Sequence, residues 1–355
     1  MKDATVRLTR RQALKAASAG MAGMVLAGHV LPALAQDTGQ TVYLPLVQDP
    51  SNATEVVEAA RHSRDYDWAK IEEIMENTAS VSNGVAVFEY DRTDLNVSGP
   101  HGLPWKPGFQ TILEIRFQPL GNGQGFLNAV MALVASELNP VIDAIFANGL
   151  VIMAEHQHFY DEDPQIWHIH LRGQDDLVQL AQAIINVIKV TGTPLPQSKP
   201  ANPTTPLPVE QLASIIGGPA QVGSDGVVVI TVPRAETIKV AGVPLKPQMG
   251  VEVNVRFEPL GDNGQAVCAP DYALIAPEVN PALMVSRAEG FEVHCLYNQE
   301  TAEHPQLFFS HNLKTGDAVE LAKEVSKVLD QMNVKRQDGD DDDHDDDHDN
   351  DHDHR

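Results

Sequence analysis

The sequence predicts an α+β fold of two tandem repeats, each a mainly antiparallel sheet with helices packed on it. First, the chain of 355 residues repeats itself at an offset of 140 to 141 residues, so that RFQPLG at 116–121 recurs as RFEPLG at 256–261. Second, runs of β-branched and apolar residues alternate with stretches of helical periodicity in both halves. Third, turns rich in glycine separate the β-rich runs, as they do in antiparallel hairpins.

The first 35 residues have the pattern of a twin-arginine signal peptide. Arg10 and Arg11 precede an uncharged run of small and apolar residues, and Ala33-Leu34-Ala35 resembles a cleavage site. The apolar run is shorter than the roughly 20 residues that span a bilayer. We therefore expect export to the periplasm or the medium, a mature chain that begins near Gln36, and no membrane insertion after cleavage. Residues 36–62 form an N-terminal leader with weak pattern.

Repeat 1, residues 63–192, begins with a helix, because Trp68, Ile71 and Met75 fall on one helical face. A β-rich run follows at 85–88, entered through a glycine. The alternating run 111–117 then predicts a half-buried strand that ends in a hairpin turn at 121–123.

A short helix follows in repeat 1. Asn139 is placed to cap it, Pro140 to fill its first position and Gly149 to end it. A final helix is expected from about Asp175 to Val190. The same order recurs in repeat 2, residues 209–335, after a Pro-rich and Thr-rich linker at 193–208 that suits an extended spacer.

The charge balance excludes some partners. The chain carries 25 basic and 49 acidic residues, and loss of the signal peptide would leave about 20 basic and 48 acidic ones. Such a surface is a poor partner for nucleic acid but suits cations. Residues 336–355 hold eleven aspartates and four histidines, so we expect a disordered tail that collects metal cations.

The residues best suited to bind a metal or to take part in catalysis lie between 151 and 171. Two His-x-His elements, His156-Gln157-His158 and His168-Ile169-His170, flank a run with turn composition. Alternate residues of a strand face the same side, so each element presents both imidazoles to one side. If the strands pair with Tyr160 opposite Ile166, His158 faces His168 and His156 faces His170 on one face of the sheet.

We therefore predict that His156, His158, His168 and His170 bind a divalent transition metal, zinc or copper, although not all four need be ligands. A polar sheet face whose histidines contact water or backbone is the alternative. The matched positions in repeat 2 retain one histidine, which suggests a scaffold copy; they are Tyr297, Gln299, Phe309 and His311.

Carboxylates and a further histidine could take part in chemistry at such a metal site. With three ligands and one open position, a metal could support hydrolysis with a nearby carboxylate as base. Alternation turns Glu155 away from the histidines, and Asp161 and Glu162 in the turn are expected to be solvated. His101, in an insertion that repeat 2 lacks, is a further candidate ligand.

Cys268 and Cys295 could pair as a disulfide if their strands are neighbours.

The stretch from Ser136 to Gly149, the two His-x-His elements and Pro164 resemble the LppY/LpqO family of exported bacterial proteins. That family shows His-Asn-His where this chain has His156-Gln157-His158, so both histidines are kept. The resemblance covers both repeats, about 60 to 330, and implies a domain of unknown function. Some members are lipoproteins, whereas no cysteine stands at the expected cleavage site here.

The first functional hypothesis is an exported protein that binds or handles metal cations through the histidines of repeat 1 and the acidic tail. The second is a metal-dependent periplasmic hydrolase. The third is a binding module for a ligand other than a metal, with the histidines lining its pocket. No serine nucleophile elbow, Cys-x-x-Cys pair or dinucleotide fingerprint is present in the sequence.

Overall fold

The computed structural model describes Tyr66, residues 68–198 and residues 202–337. The predicted signal peptide, the leader and all but the first two residues of the predicted tail lie outside this part of the chain. None of the described helices is long and apolar enough to cross a membrane.

Each repeat builds its elements in the predicted order. Repeat 1 contains α1 (Ala69–Met75), β1 (Ser80–Ser82), β2 (Val85–Asp91), α2 (Pro107–Gln110), β3 (Ile112–Gly121), β4 (Gln124–Val134), α3 (Leu138–Ala147), β5 (Val151–His156), β6 (Ile166–Asp176) and α4 (Leu177–Ile188). A short 3-10 turn, Pro100–Gly102, precedes α2.

Repeat 2 follows the same plan with shorter outer strands. It contains α5 (Val209–Ile216), β7 (Ala220–Val222), β8 (Val228–Val232), β9 (Lys239–Val240), β10 (Val243–Pro244), β11 (Val253–Pro259), β12 (Gln265–Ile275), α6 (Val279–Ala288), β13 (Glu292–Val293), β14 (Glu303–His304), β15 (Leu307–Asp317) and α7 (Ala318–Leu329). A 3-10 turn, Pro247–Met249, stands where α2 does in repeat 1.

Both large sheets are antiparallel, as predicted. The six-stranded sheet of repeat 1 has the order β1-β2-β3-β4-β6-β5, and that of repeat 2 has the order β13-β15-β12-β11-β8-β7. The predicted hairpin between β3 and β4 is confirmed, because Gly121 pairs with Gln124 across Asn122 and Gly123. These two central residues have φ of 52° and 80°, as a tight hairpin turn requires.

Helices cover the outer face of each sheet. In repeat 1, α4 packs on β4 and β6, and α1 and α3 pack on α4; in repeat 2, α7, α5 and α6 occupy the same places. Alternate residues of β6 show why, since Ile169 and Leu171 are buried in the same cluster as Leu180 and Ile184 of α4. His168 and His170, which alternate with these two residues along β6, therefore face the opposite side.

The inner faces of the two sheets pack against each other. Glu114 on β3 lies 2.9 Å from the guanidinium of Arg256 on β11, and Asn128 on β4 donates to the carbonyl of Met249 at 2.6 Å. Asp271 on β12 is partly buried next to His311, with its side chain 15% exposed. We call the buried layer between the two sheets, which includes Glu114, Arg256 and Asp271, the seam.

The contacts across the seam obey an approximate two-fold symmetry. The backbone N–H of Lys106 donates to Glu258 Oε2 at 3.0 Å, and that of Lys246 donates to Gln118 Oε1 at 2.8 Å. These residues are matched by the repeat, so each repeat offers the same surface to the other, as in an isologous dimer. Matched positions near the axis therefore come close together.

A buried arginine is duplicated as well. Arg92 binds Asp94 and Glu137 at 2.8 and 2.9 Å, and Arg234 binds Glu236 and Glu278 in the same way. Each arginine also donates to a backbone carbonyl in a central strand of its own repeat, β4 in repeat 1 and β12 in repeat 2. The two ion clusters fix the start of α3 and α6 against their sheets.

Three details differ from the sequence prediction. Helix α3 begins at Leu138 with Glu137 as its N-cap, so Asn139 and Pro140 lie inside the first turn. Glu137 occupies that place because its carboxylate is held by Arg92. The last helix of repeat 1, predicted from about Asp175 to Val190, is shorter, because Asp176 is its N-cap and it ends at Ile188. Arg336, assigned to the tail, donates to the carbonyls of Ile215 and Ile216.

Candidate metal centre

The four predicted histidines lie together on the inner face of repeat 1, but with a different register. His156 pairs with His168 and Ala154 pairs with His170, so the expected pairing of Tyr160 with Ile166 is wrong by two residues. Strand β5 ends at His156 and has a bulge between Ile152 and Ala154. A shift of two residues preserves the face on which each side chain lies, so the histidines still converge.

Three of the four rings form a group that could hold a metal ion. One ring nitrogen from each of His156, His158 and His170 lies within 4.8 Å of the others. His158 stands in the loop after β5, from which its ring reaches back to the strand pair. The fourth ring, His168, stacks on His158 with ring centroids 3.4 Å apart and planes inclined by 3°.

Gln110 determines which ring nitrogen of His158 and of His168 remains without a hydrogen bond. Its side-chain oxygen accepts from Nδ1 of His158 at 3.3 Å, which leaves Nε2 of His158 as the acceptor. Its backbone carbonyl accepts from Nε2 of His168 at the same distance, which leaves Nδ1 of that ring free. Such outer hydrogen bonds orient metal-binding histidines and set their tautomers.

The free nitrogens have no protein partner. Both nitrogens of His156, Nε2 of His158 and Nε2 of His170 are buried without a hydrogen bond. An unpaired buried acceptor costs about 1–3 kcal/mol, so this arrangement is costly for a purely structural cluster. A metal ion would bind one nitrogen of each of these three rings, and the residues present therefore fit such an ion.

The rings are held in the neutral form that binds metals. Burial lowers the pKa of His168 to about 4 and that of His170 to about 3. Burial, followed by the neighbouring histidines, also lowers the pKa of His156 and His158 well below the usual range. No proton has to be displaced from these rings at neutral pH before a metal binds.

Repeat 2 contributes side chains to the same cluster, so the scaffold interpretation of this repeat is incomplete. The ring of His311 stacks on His158 at 3.7 Å between centroids, and the ring of Tyr297 lies 3.5 Å from His156. His158 is therefore enclosed between His168 and His311. The approximate two-fold symmetry could have revealed this, because His311 matches His170.

Behind His311 lie two further groups that the sequence interpretation did not connect with the site. Cys295 Sγ is 3.2 Å from Nδ1 of His311, and Asp271 Oδ2 is 3.6 Å from its Nε2. Burial raises the pKa of Asp271 to about 7, although the guanidinium of Arg256 opposes that rise. Burial raises the pKa of Cys295 to about 12, so this side chain is a thiol.

Two arginines set the charge of the seam beside the histidines. Burial alone would raise the pKa of Glu114, but Arg116 and Arg256 bring it down to about 2. Glu114 is therefore ionised between two guanidinium groups, at 3.0 and 2.9 Å. A fixed ion cluster thus lies directly next to the neutral imidazoles.

The other candidates from the sequence lie elsewhere. Glu155 and Asp161 are exposed, but Glu162, expected to be solvated, is buried and accepts from the side chain of Gln165 at 2.7 Å. His101 is not in the histidine cluster and contacts Glu292 instead. Both cysteines are free thiols, so they form no disulfide.

The comparisons with known proteins leave the activity open. No curated protein matches the chain. A trimeric bacterial microcompartment shell protein, PduB, matches at 12% identity over 73% of this chain and 95% of that one, with a TM-score of 0.16, too low to indicate a shared fold. The family model described as DUF1529: Domain of Unknown Function (DUF1259) matches residues 69–190 and 210–331, one match in each repeat. The chain therefore belongs to this family, in two tandem copies.

Proposed function

We propose that this is an exported metal-binding protein that holds one divalent transition metal, zinc or copper, with His156, His158 and His170. The observation that carries the proposal is the set of buried ring nitrogens without hydrogen-bond partners, within 4.8 Å of one another. Imidazole suits both metals, and three neutral rings leave at least one coordination position open. His168 and His311 support the ring of His158 from its two sides.

The histidines and aspartates at 340–354 support a role in metal handling. A chain segment of that composition binds several cations weakly, so it can raise the local metal concentration. The buried site would then retain one ion from that supply. Within the family, the matching His-x-His elements favour a place among the LppY/LpqO proteins.

X-ray absorption spectroscopy tests the buried site. Metal-free protein receives one equivalent of zinc, and the number of imidazole ligands is counted from the scattering of the outer ring atoms. We expect about three imidazoles with nitrogens about 2.0–2.1 Å from the metal. Because the tail holds histidines as well as aspartates, an imidazole count that is the same in the wild type and in His170→Gln would contradict the proposal. A His170→Gln variant should reduce the imidazole count by one or lose the ion to the tail.

The export that we propose has its own test. The Arg10-Arg11 pair and the apolar run after it support passage through the twin-arginine route. A variant with both arginines changed to lysine should remain in the cytoplasm at its full mass, whereas the wild type should be recovered outside it with Gln36 near its N-terminus. Equal export of the two would contradict this assignment.

A metal-dependent hydrolase is the second candidate, and Asp271 is the observation in its favour. A metal held by three ligands can activate water for hydrolysis, and a base of pKa near 7 is suited to take up a proton. Loaded protein should then cleave simple esters or phosphoesters, with loss of activity in Asp271→Asn and no change in metal content. A loaded protein without turnover would leave metal binding as the function.

A further inference from the structure

A second group of metal-binding side chains meets at the edge of the seam. His101 comes from the 3-10 turn that only repeat 1 possesses, while Glu292 and His294 belong to β13 and the residue after it in repeat 2. The two repeats thus contribute to this group as they do to the histidine cluster, but with different residues.

The carboxylate of Glu292 lies between the two imidazoles. Its Oε1 is 2.9 Å from Nε2 of His101, and its Oε2 is 3.4 Å from Nε2 of His294. Two imidazoles and one carboxylate are a common ligand set for zinc and for neighbouring transition metals. The side chain of His101 is 66% exposed and has to turn before all three ligand atoms can meet at one ion, since the three do not form as close a group as the buried trio.

His294 is the second observation that points to a ligand. Its side chain is completely buried, its Nδ1 has no hydrogen-bond partner, and its Nε2 faces only the carboxylate of Glu292 at 3.4 Å. The ring is positioned by Tyr160, with centroids 4.2 Å apart, and by Phe159 at 4.9 Å. A polar ring held in this way costs about 1–3 kcal/mol unless something binds its nitrogens.

An ordinary ion pair between His101 and Glu292 does not explain why His294 is buried beside them. An exposed His–Glu pair contributes about 0–1 kcal/mol, which gives no reason to bury a second imidazole beside it. The other half of the molecule offers an internal comparison, because the positions that match Glu292 and His294 are Val151 and Met153. His101 has no counterpart in repeat 2. The matching end of the seam therefore lacks the equivalents of all three side chains.

We propose that His101, Glu292 and His294 form a second, more accessible site for a divalent transition metal. The ring of Phe159 separates it from the histidine cluster, since this ring lies 4.9 Å from His294 and 5.9 Å from His311. The exposure of His101 and Glu292 predicts weaker binding and faster exchange than at the buried trio. The site is suited to receive an ion before the buried histidines do.

Anomalous diffraction from crystals of the full chain soaked in zinc tests the site directly, because each ion is located by position. We expect one peak among His101, Glu292 and His294, in addition to the peak at the buried trio. His294→Gln should abolish the first peak and leave the second. His304→Gln, a change of an exposed histidine in the same repeat, should leave both.

Equilibrium dialysis in solution provides the second measurement. At saturating zinc, His294→Gln should bind about one ion fewer per chain than the wild type and than His304→Gln, since the tail is the same in all three. The proposal is overturned by a wild-type map with zinc at the trio and none at Glu292, or by a peak there that persists in His294→Gln. A peak at Glu292 without one at the trio would instead overturn the proposed function.

Discussion

His158 and His311 lie face to face across the seam, with ring centroids 3.7 Å apart and planes inclined by 19°. One ring belongs to the loop after β5 in repeat 1 and the other to β15 in repeat 2. His311 matches His170 in the duplication, so the contact arises where the approximate two-fold axis brings matched strands together. The candidate metal centre is therefore a product of both repeats.

This contact leads to a prediction about the role of His311. If His311 supports His158 by stacking, His311→Phe preserves the ring contact and should change the zinc affinity by no more than a few-fold. His311→Ala removes the support and should lower the affinity by about 10-fold to 100-fold, as loss of outer-shell partners does. Competition with a chromophoric chelator measures both. Equal, complete loss in the two variants would mean that His311 is itself a ligand.

Gln110 should matter for metal binding although it is not a ligand. Gln110→Ala removes the side-chain acceptor for Nδ1 of His158 but keeps the backbone carbonyl that binds His168. We expect the zinc affinity to fall by about 10-fold to 100-fold while the fold is retained. Gln182→Ala, on the exposed surface of α4, is the matched control. An unchanged affinity in Gln110→Ala would show that the bond does not position His158.

Glu162 should make stability depend on pH. Burial raises the pKa of Glu162 to about 8, well above the value of about 4.3 in an unfolded chain. Because the folded-state pKa is the higher one, stability is full below about pH 4 and is lost as the pH rises towards 8. Glu162→Gln keeps an acceptor and removes the charge. The free energy of unfolding of this variant should therefore rise by roughly 1–3 kcal/mol relative to that of the wild type as the pH goes from 5 to 9.

Thermal unfolding of metal-free protein at several pH values measures this difference. Glu303→Gln is a parallel case, because Glu303 matches Glu162 and burial raises its pKa to about 7. Its gain should therefore be complete at a lower pH. A difference between variant and wild type that is the same at pH 5 and pH 9 would contradict the assignment.

The buried arginines should be essential for stability. Arg92→Met removes the partner of Asp94 and Glu137 and leaves their charges unpaired, which should lower the free energy of unfolding by about 3–5 kcal/mol. Arg234→Met should do the same in repeat 2. Lys323→Met breaks an exposed ion pair with Glu320 and should cost less than about 1 kcal/mol. Denaturant unfolding compares the three, and similar losses in all of them would refute this account.

Much of the fold could be predicted because local patterns determine it. The duplication gave the two-repeat architecture, and the glycine turn at 121–123 gave the hairpin between β3 and β4. Strand parity placed His168 and His170 on the inner face, and this result was insensitive to the two-residue error in register. The error arose because the bulge in β5 and the short end of that strand leave no clear pattern in the sequence.

The contribution of repeat 2 to the site could not be read from local pattern. His311 and Tyr297 meet the rings of repeat 1 only because the sheets pack face to face, which is a relation between distant segments. Glu162 was expected to be solvated from its place in a turn, yet Gln165 and the backbone of Ile166 bind its carboxylate inside the fold. His101 and Glu292 are 191 residues apart, so their contact has no local signature.

Retained metal measures the central claim most directly. Full-length wild type and a His156→Ala/His158→Ala double variant are loaded with zinc and dialysed against a weak chelator that strips the acidic tail. Metal analysis of the folded proteins should find about one ion per chain in the wild type and almost none in the double variant. Equal metal content in the two, whether one ion or none, would contradict a metal centre built on these histidines.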